Sequence, residues 1–282
     1  MENKFNIALA QISPIFADIS ANVDKHLSWI ESAKKKKADI VVFPELGISG
    51  YALKDLSSEI AIKPYGDELK PIRDASFDIG VVVSFPELGD DCISYISSAF
   101  FYQGELIHLY RKVHPPTHGM FEEIKYFGVG SQIRAFDTSW SRMGMMICRD
   151  IWHPEMAFTL SADGAMCIIA SSAIPARNIG PEGFGVQQSM KRTIQNMALT
   201  NQCWVILSNR VGTEDGVVFL GGSMVCSPNG NVVCEFGLLE EDLQIATIDM
   251  QQLRRDRDSL NLVRERKTRL ILDHLRRIVD GY

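Results

Sequence analysis

The 282-residue chain lacks the features that would assign it to a membrane, a disulfide scaffold or a nucleic-acid surface. No apolar run approaches the roughly 18 residues that a membrane-spanning helix needs. The N-terminal MENKFNIALAQISP has one basic residue ahead of a short apolar run, which reads as a strand and not as a leader. The six cysteines, Cys92, Cys148, Cys167, Cys203, Cys226 and Cys234, include no CxxC pair, and most sit inside apolar segments as reduced thiols do. There is no excess of positive charge: the formal net charge is −6, which disfavours a nucleic-acid surface as the main function. No internal repeat is evident, nor a linker that would split the chain. What remains is 46% hydrophobic content, ample for a sizeable core. The expectation is one cytoplasmic domain over residues 1–282, with 250–282 as a C-terminal helical tail, acting on a small molecule without a nucleic-acid or membrane partner.

Periodicity supplies an α/β outline. Phe5 to Gln11 alternates as a strand, and Asp18 to Lys37 carries helical spacing through Ile19, Val23, Leu27 and Ile30. The four lysines Lys34 to Lys37 close that helix, where cations complement its dipole. Strands follow at Asp39 to Phe43, Ile79 to Phe85, Ser94 to Tyr102 and Glu105 to Tyr110, the last two joined by a Gln103-Gly104 turn. Ile133 to Phe136, Arg142 to Ile147, Ala165 to Ala170, Cys203 to Asn209, Val217 to Cys226, Val232 to Phe236 and Leu243 to Ile248 also read as strands. Helices are expected from Pro154 to Gly164 and from Val186 to Thr200. The Gly/Pro-rich stretch Ser171 to Gly185 reads as a specificity loop, and the chain from Met250 onward as helical.

Chemistry concentrates where strands end. In GMMICRDIWHPE, Gly144 to Glu155, an apolar strand runs into Cys148 and then a helix start at Pro154. An isolated cysteine is ordinarily a small buried hydrophobe, but the polar turn of Arg149, Asp150 and His153 favours a nucleophile. Glu45 follows the strand ending at Phe43, and open α/β sheets place ligands at such ends. Lys112 follows the hairpin strand and leads into a proline-stiffened loop carrying His114, His118, Glu122, Glu123 and Lys125. A carboxylate, an ammonium and a thiol together can take a proton, hold an oxyanion and attack a carbonyl carbon.

The blocks FPELGISGY, YRKVHPP with FEEIKYF, GMMICRDIWHPE, KRTIQNMALTNQCWVILSNRVG and FLGGSMVCSPNG stand in an order that resembles the nitrilase superfamily of carbon–nitrogen hydrolases. The likeness covers nearly the whole chain. It implies a four-layer αββα sandwich with Glu45 as general base, Lys112 as oxyanion stabiliser and Cys148 as nucleophile. It further implies that Glu123 positions substrate and lysine, and that no metal or organic cofactor is needed. The wording around the cysteine looks like that of glutaminase domains attached to glutamine-dependent NAD synthetases, although no SGGxDS segment follows, so an ammonia acceptor would be another chain or solvent. Two departures are Arg149 after the nucleophile, where many amidase relatives have tyrosine or glutamate, and HPP in place of HLP.

These readings give a small carboxamide as the substrate, with N-carbamoyl compounds and nitriles as alternatives. Tyr51, Tyr126 and Phe127 are candidate pocket residues. Arg149 and Arg177 are candidates to grip a substrate carboxylate. Rivals are a papain-like pair of Cys148 with His114 or His118, a zinc site using Cys148 and His153, for which the spacing is poor, and a non-enzymatic scaffold. A homodimer or higher homo-oligomer is expected from the family and from the apolar positions of the tail, Leu260, Leu262, Val263, Leu270, Ile271 and Leu275.

Overall fold

The computed structural model describes residues 4–180 and 183–281. The first half runs β1 (Lys4–Gln11), α1 (Ile19–Lys35), β2 (Ile40–Val42), α2 (Lys70–Ala75), β3 (Gly80–Leu88), β4 (Ser94–Tyr102) and β5 (Glu105–Arg111). The second continues with β6 (Phe136–Asp137), β7 (Arg142–Ile147), α3 (Pro154–Ala162), β8 (Cys167–Ser172), β9 (Ile179–Gly180), β10 (Gly183–Phe184) and α4 (Gly185–Asn201). After these come β11 (Trp204–Asn209), β12 (Val211–Glu214), β13 (Val217–Leu220), β14 (Met224–Cys226), β15 (Val232–Glu235) and β16 (Asp242–Asp249). The chain closes with α5 (Met250–Ser259), α6 (Leu262–Glu265) and α7 (Thr268–Val279).

Two six-stranded sheets form, in the orders β16-β1-β2-β3-β4-β5 and β15-β14-β11-β8-β7-β6. Strand composition explains why they stack. In β1, Ile7 and Leu9 enter the large core that includes residues of both sheets, whereas Ala8 and Ala10 join the core beneath α1 and α2. A strand apolar on both faces has to be covered on both. Helices α1 and α2 cover the outer face of the first sheet, and α3 and α4 that of the second, giving the four-layer αββα sandwich. Asp18 caps α1 by accepting from the Ala21 N–H at 3.0 Å.

The sheets are also tied at the strand ends that matter. Ser171 Oγ donates to the Phe43 carbonyl at 2.9 Å, and Ser208 Oγ to the Ala10 carbonyl at 3.1 Å. The carboxyl ends of β2 and β8 are thereby held side by side.

Several elements differ from their expected extent. Val217 to Cys226 is two strands, because Gly221 and Gly222 take φ of 73° and 71° and turn the chain out of the β12–β13 hairpin into the second sheet. A Cβ on Gly221 would lie 2.5 Å from Gln11 Nε2, so the turn also needs the missing side chain. Ile133 to Phe136 contributes only the short β6. The Ser171 to Gly185 loop begins inside β8 and closes with the β9–β10 hairpin, while its residues 181 and 182 lie outside the described set. In the tail, α5 buries Leu253, but α7 buries nothing and exposes Leu270, Ile271, Leu272, Leu275, Ile278 and Val279.

Candidate active site

Lys112 is the centre of the buried charge. It follows β5 directly, and its ammonium is 1% exposed as a residue and enclosed by two carboxylates. Nζ donates to Glu45 Oε1 at 2.6 Å and to Glu123 Oε1 at 2.9 Å, with Glu123 Oε2 in charge contact at 2.7 Å. Burial opposes the charge on Lys112, yet Glu123 and Glu45 outweigh it and hold its pKa above the ordinary value. Glu123, on a short 3-10 turn, is pushed up to about 7 by burial and by Glu45, with Lys112 pulling the other way. Tyr51 donates its hydroxyl to Glu123 Oε1, and burial with the nearby carboxylates keeps that hydroxyl protonated. Glu45 Oε2 is buried with no hydrogen-bond partner, leaving a free acceptor.

Cys148 begins a 3-10 turn, Cys148–Trp152, at the end of β7. Its φ of 45° is a left-handed value for a residue with a side chain, a strained conformation of the kind that gathers at functional sites. Burial and then Glu45 raise the thiol pKa well above its usual value, against the pull of Lys112 and a bond to the Ala173 backbone. The attraction of Lys112 thus does not by itself maintain a thiolate.

A cavity of about 330 Å³ opens beside Glu123 and is lined by Tyr51, Phe121, Tyr126, Phe127, Phe219 and Glu214 among others. Its floor is braced from the second half of the chain. Glu214 Oε1 accepts the backbone N–H groups of Tyr51 at 2.7 Å and Ala52 at 2.5 Å, while Oε2 accepts from Arg210 Nη1 at 2.8 Å. Arg210 is fully buried and its guanidinium lies 4.2 Å from the centroid of the Phe219 ring.

The model of the carbon-nitrogen hydrolase family matches residues 6–258. The chain belongs to that family. It is 28% identical over 252 residues to the glutamine-dependent NAD(+) synthetase of Thermotoga maritima, covering 88% of this chain and 43% of that protein. It is 31% identical over 257 residues to a nitrilase of Pyrococcus abyssi, covering 89% of this chain and 92% of the relative. Among solved structures, the carbon-nitrogen hydrolase of Helicobacter pylori G27 superposes with a TM-score of 0.86 at 24% identity, over 98% of this chain and 99% of the other. The chain spans under half the length of the NAD(+) synthetases it matches.

This carbon–nitrogen hydrolase brings Glu45, Lys112 and Glu123 into direct contact, with Cys148 near enough to be coupled electrostatically to Lys112 and Tyr51. Tyr51, Tyr126 and Phe127 line the cavity. Arg177 is not in the lining, but its guanidinium lies 4.9 Å from the centroid of Phe121, which is. Arg149 is half-buried and outside the lining. The ring of His114 bonds to Asp150 at 2.8 Å and stacks on His153 at 3.6 Å between centroids, and the ring of His118 lies 5.3 Å from that of Phe121. Among the described residues the one group with metal-ligand spacing is His114, His153 and Glu155, which leaves Cys148 out of the zinc reading.

Sequence reading missed Glu214, Arg210, Phe121 and Phe219. The first two were within reach, since Arg210 lies inside the SNRVG block and Glu214 two residues beyond it. A buried Arg-Glu pair four residues apart at a strand end was the available signal.

Proposed function

We propose that the enzyme hydrolyses a small carboxamide to a carboxylate and ammonia through a thioester on Cys148. The observation that carries this reading is the buried Lys112 ammonium clamped between Glu45 and Glu123, beside a cysteine in a strained left-handed conformation. A lysine so placed is a fixed positive charge that water cannot screen, which suits an oxyanion.

In the proposed cycle Glu45 takes the thiol proton as Sγ bonds to the amide carbon, and the carbonyl oxygen becomes the oxyanion. Burial and Glu45 raise the thiol pKa, which favours transfer of the proton together with attack. Lys112 and the backbone N–H of Arg149, an early donor of its 3-10 turn, hold the negative oxygen. The C–N bond then breaks as Glu45 returns the proton to nitrogen. Water, deprotonated by the same carboxylate, adds to the thioester, and the carboxylic acid leaves as sulfur recovers its proton. Glu123 holds Lys112 from the other side, and Tyr51 holds Glu123.

The aromatic cavity favours a compact substrate. Arg177, stacked on Phe121 at its edge, is the candidate partner for a distal carboxylate such as that of an ω-amido acid. Ammonia release from matched carboxamide, nitrile and N-carbamoyl compounds tests the choice: kcat/KM is expected to be highest for the carboxamide. Faster turnover of the nitrile, or release from N-carbamoyl compounds alone, would reject it.

A further inference from the structure

We propose that Asp150 is a positioning residue that sets the separation of Lys112 and Cys148 by gripping the chain on both sides of the lysine and immediately before the cysteine. The inference rests on the proposed roles of those two residues. Asp150 is fully buried, and both its oxygens are used twice. Oδ1 accepts the His114 backbone N–H at 2.9 Å and the His114 ring Nδ1 at 2.8 Å. Oδ2 accepts the Tyr110 hydroxyl at 2.7 Å and the Ile147 backbone N–H at 3.1 Å. Tyr110 and His114 bracket Lys112 at two residues on either side, and Ile147 precedes Cys148.

Other bonds hold Lys112, but differently. Its N–H donates to Ile96 O at 2.9 Å and its carbonyl accepts from Gly130 N–H at 2.8 Å, both within the first half of the chain. Asp150 belongs to the turn that follows β7 of the second sheet, so its three bonds to Tyr110 and His114 cross to the end of the first sheet while the fourth, to Ile147, holds the end of β7. A carboxylate with four donors is also hard to replace. An asparagine keeps one acceptor oxygen and turns an NH₂ toward donors that cannot all reverse; the Ile147 N–H in particular cannot accept. Tyr110 stays a donor, since burial and then Asp150 keep its hydroxyl protonated. The same arrangement gives His114 a purpose other than acid–base chemistry, for its ring serves as one of the four donors.

Steady-state kinetics and thermal melting of Asp150→Asn, Tyr110→Phe, His114→Ala and His114→Asn test the proposal, with Cys148→Ala alongside. A misplacement near 1 Å can cost about 10²-fold, so Asp150→Asn is expected to lose about that factor in kcat with KM little changed. His114→Ala and Tyr110→Phe should each lose part of it. His114→Asn should recover most of the His114→Ala loss, because its amide NH₂ can donate where Nδ1 did and it has no ionisable ring. The double variant His114→Ala/Asp150→Asn should be no worse than Asp150→Asn alone. Wild-type kcat in both His114→Ala and Tyr110→Phe, losses confined to KM, or failure of His114→Asn to rescue would each overturn the clamp. Should Asp150→Asn not fold, the Tyr110 and His114 variants decide. Turnover by Cys148→Ala would instead strike at the underlying mechanism, whereas an inactive Cys148→Ala beside fully active Tyr110 and His114 variants would remove the clamp alone.

Discussion

Replacing Lys112 with methionine keeps much of the side chain's length and removes only the ammonium, which makes it the sharpest probe of the buried charge. Two consequences follow from one deletion. Loss of a single oxyanion donor typically costs about 10²- to 10³-fold in kcat, or about 2.7–4 kcal/mol. The second consequence is thermodynamic. Glu45 and Glu123 sit 2.6 and 2.7 Å from Nζ and are themselves buried, so the variant strands two carboxylates without their cation. Removing one partner of a buried ion pair costs about 3–5 kcal/mol, on the order of 10 °C in Tm for a chain of this size. The carboxyl pair can reduce that cost by binding a proton, and Glu123 already has a folded pKa near 7 against an ordinary 4.5. A carboxyl whose folded pKa is raised holds a proton that the unfolded chain releases, so its contribution falls as pH rises through the folded value. The Lys112→Met deficit should therefore be small near pH 5 and large near pH 8. Melting curves across that range, with kcat measured in parallel, check both parts. A rate loss below about tenfold, or equal melting of variant and parent at pH 8, would refute the reasoning.

His26, fully buried against Phe43, has its pKa lowered from 6.5 to about 4 by burial, despite its bond to the Asn22 carbonyl. The unfolded chain binds that proton first, so stability should fall as pH drops from 6.5 toward 4, by at most about 3 kcal/mol from this group; His26→Leu should flatten this part of the acid melting profile, and an unchanged slope would count against it. For α7, the exposed row of Leu270, Ile271, Leu275 and Ile278 predicts self-association. Light scattering should give at least a dimer for the parent and a smaller species for Leu275→Asp, and a monomeric parent at high micromolar concentration would remove the argument.

Much of the sandwich was legible because its strands are buried on both faces: β1 and β3 carry near-continuous apolar runs between turn signals, and these fix strand positions well. The break at Gly221-Gly222 was not legible, since a double glycine in an apolar run can pass as a weak strand until the Gln11 side chain that crowds it is known. At the site, residue type and order were enough to nominate Glu45, Lys112 and Cys148, because each stands just beyond an element that the pattern defines, whereas Glu123, inside the following loop, was nominated only by the family resemblance. What chain order does not carry is the balance of burial against charge. Lys112 pulls the Cys148 thiol toward its anion, but burial and Glu45 pull the other way and raise its pKa. Asp150 was visible as a polar turn residue, but its grip on Tyr110 and His114 joins positions 40 and 36 residues apart. Periodicity cannot see such contacts.

The central claim is that sulfur of Cys148 becomes acylated during turnover. Acid quench of the enzyme with a carboxamide substrate, followed by intact-mass and peptide mass spectrometry, reads this directly. The account predicts an increase equal to the substrate's acyl group, located on the peptide containing Cys148 and absent from Cys148→Ala, which releases no ammonia. Ammonia release by Cys148→Ala, or an acyl group carried on any other residue, would contradict it.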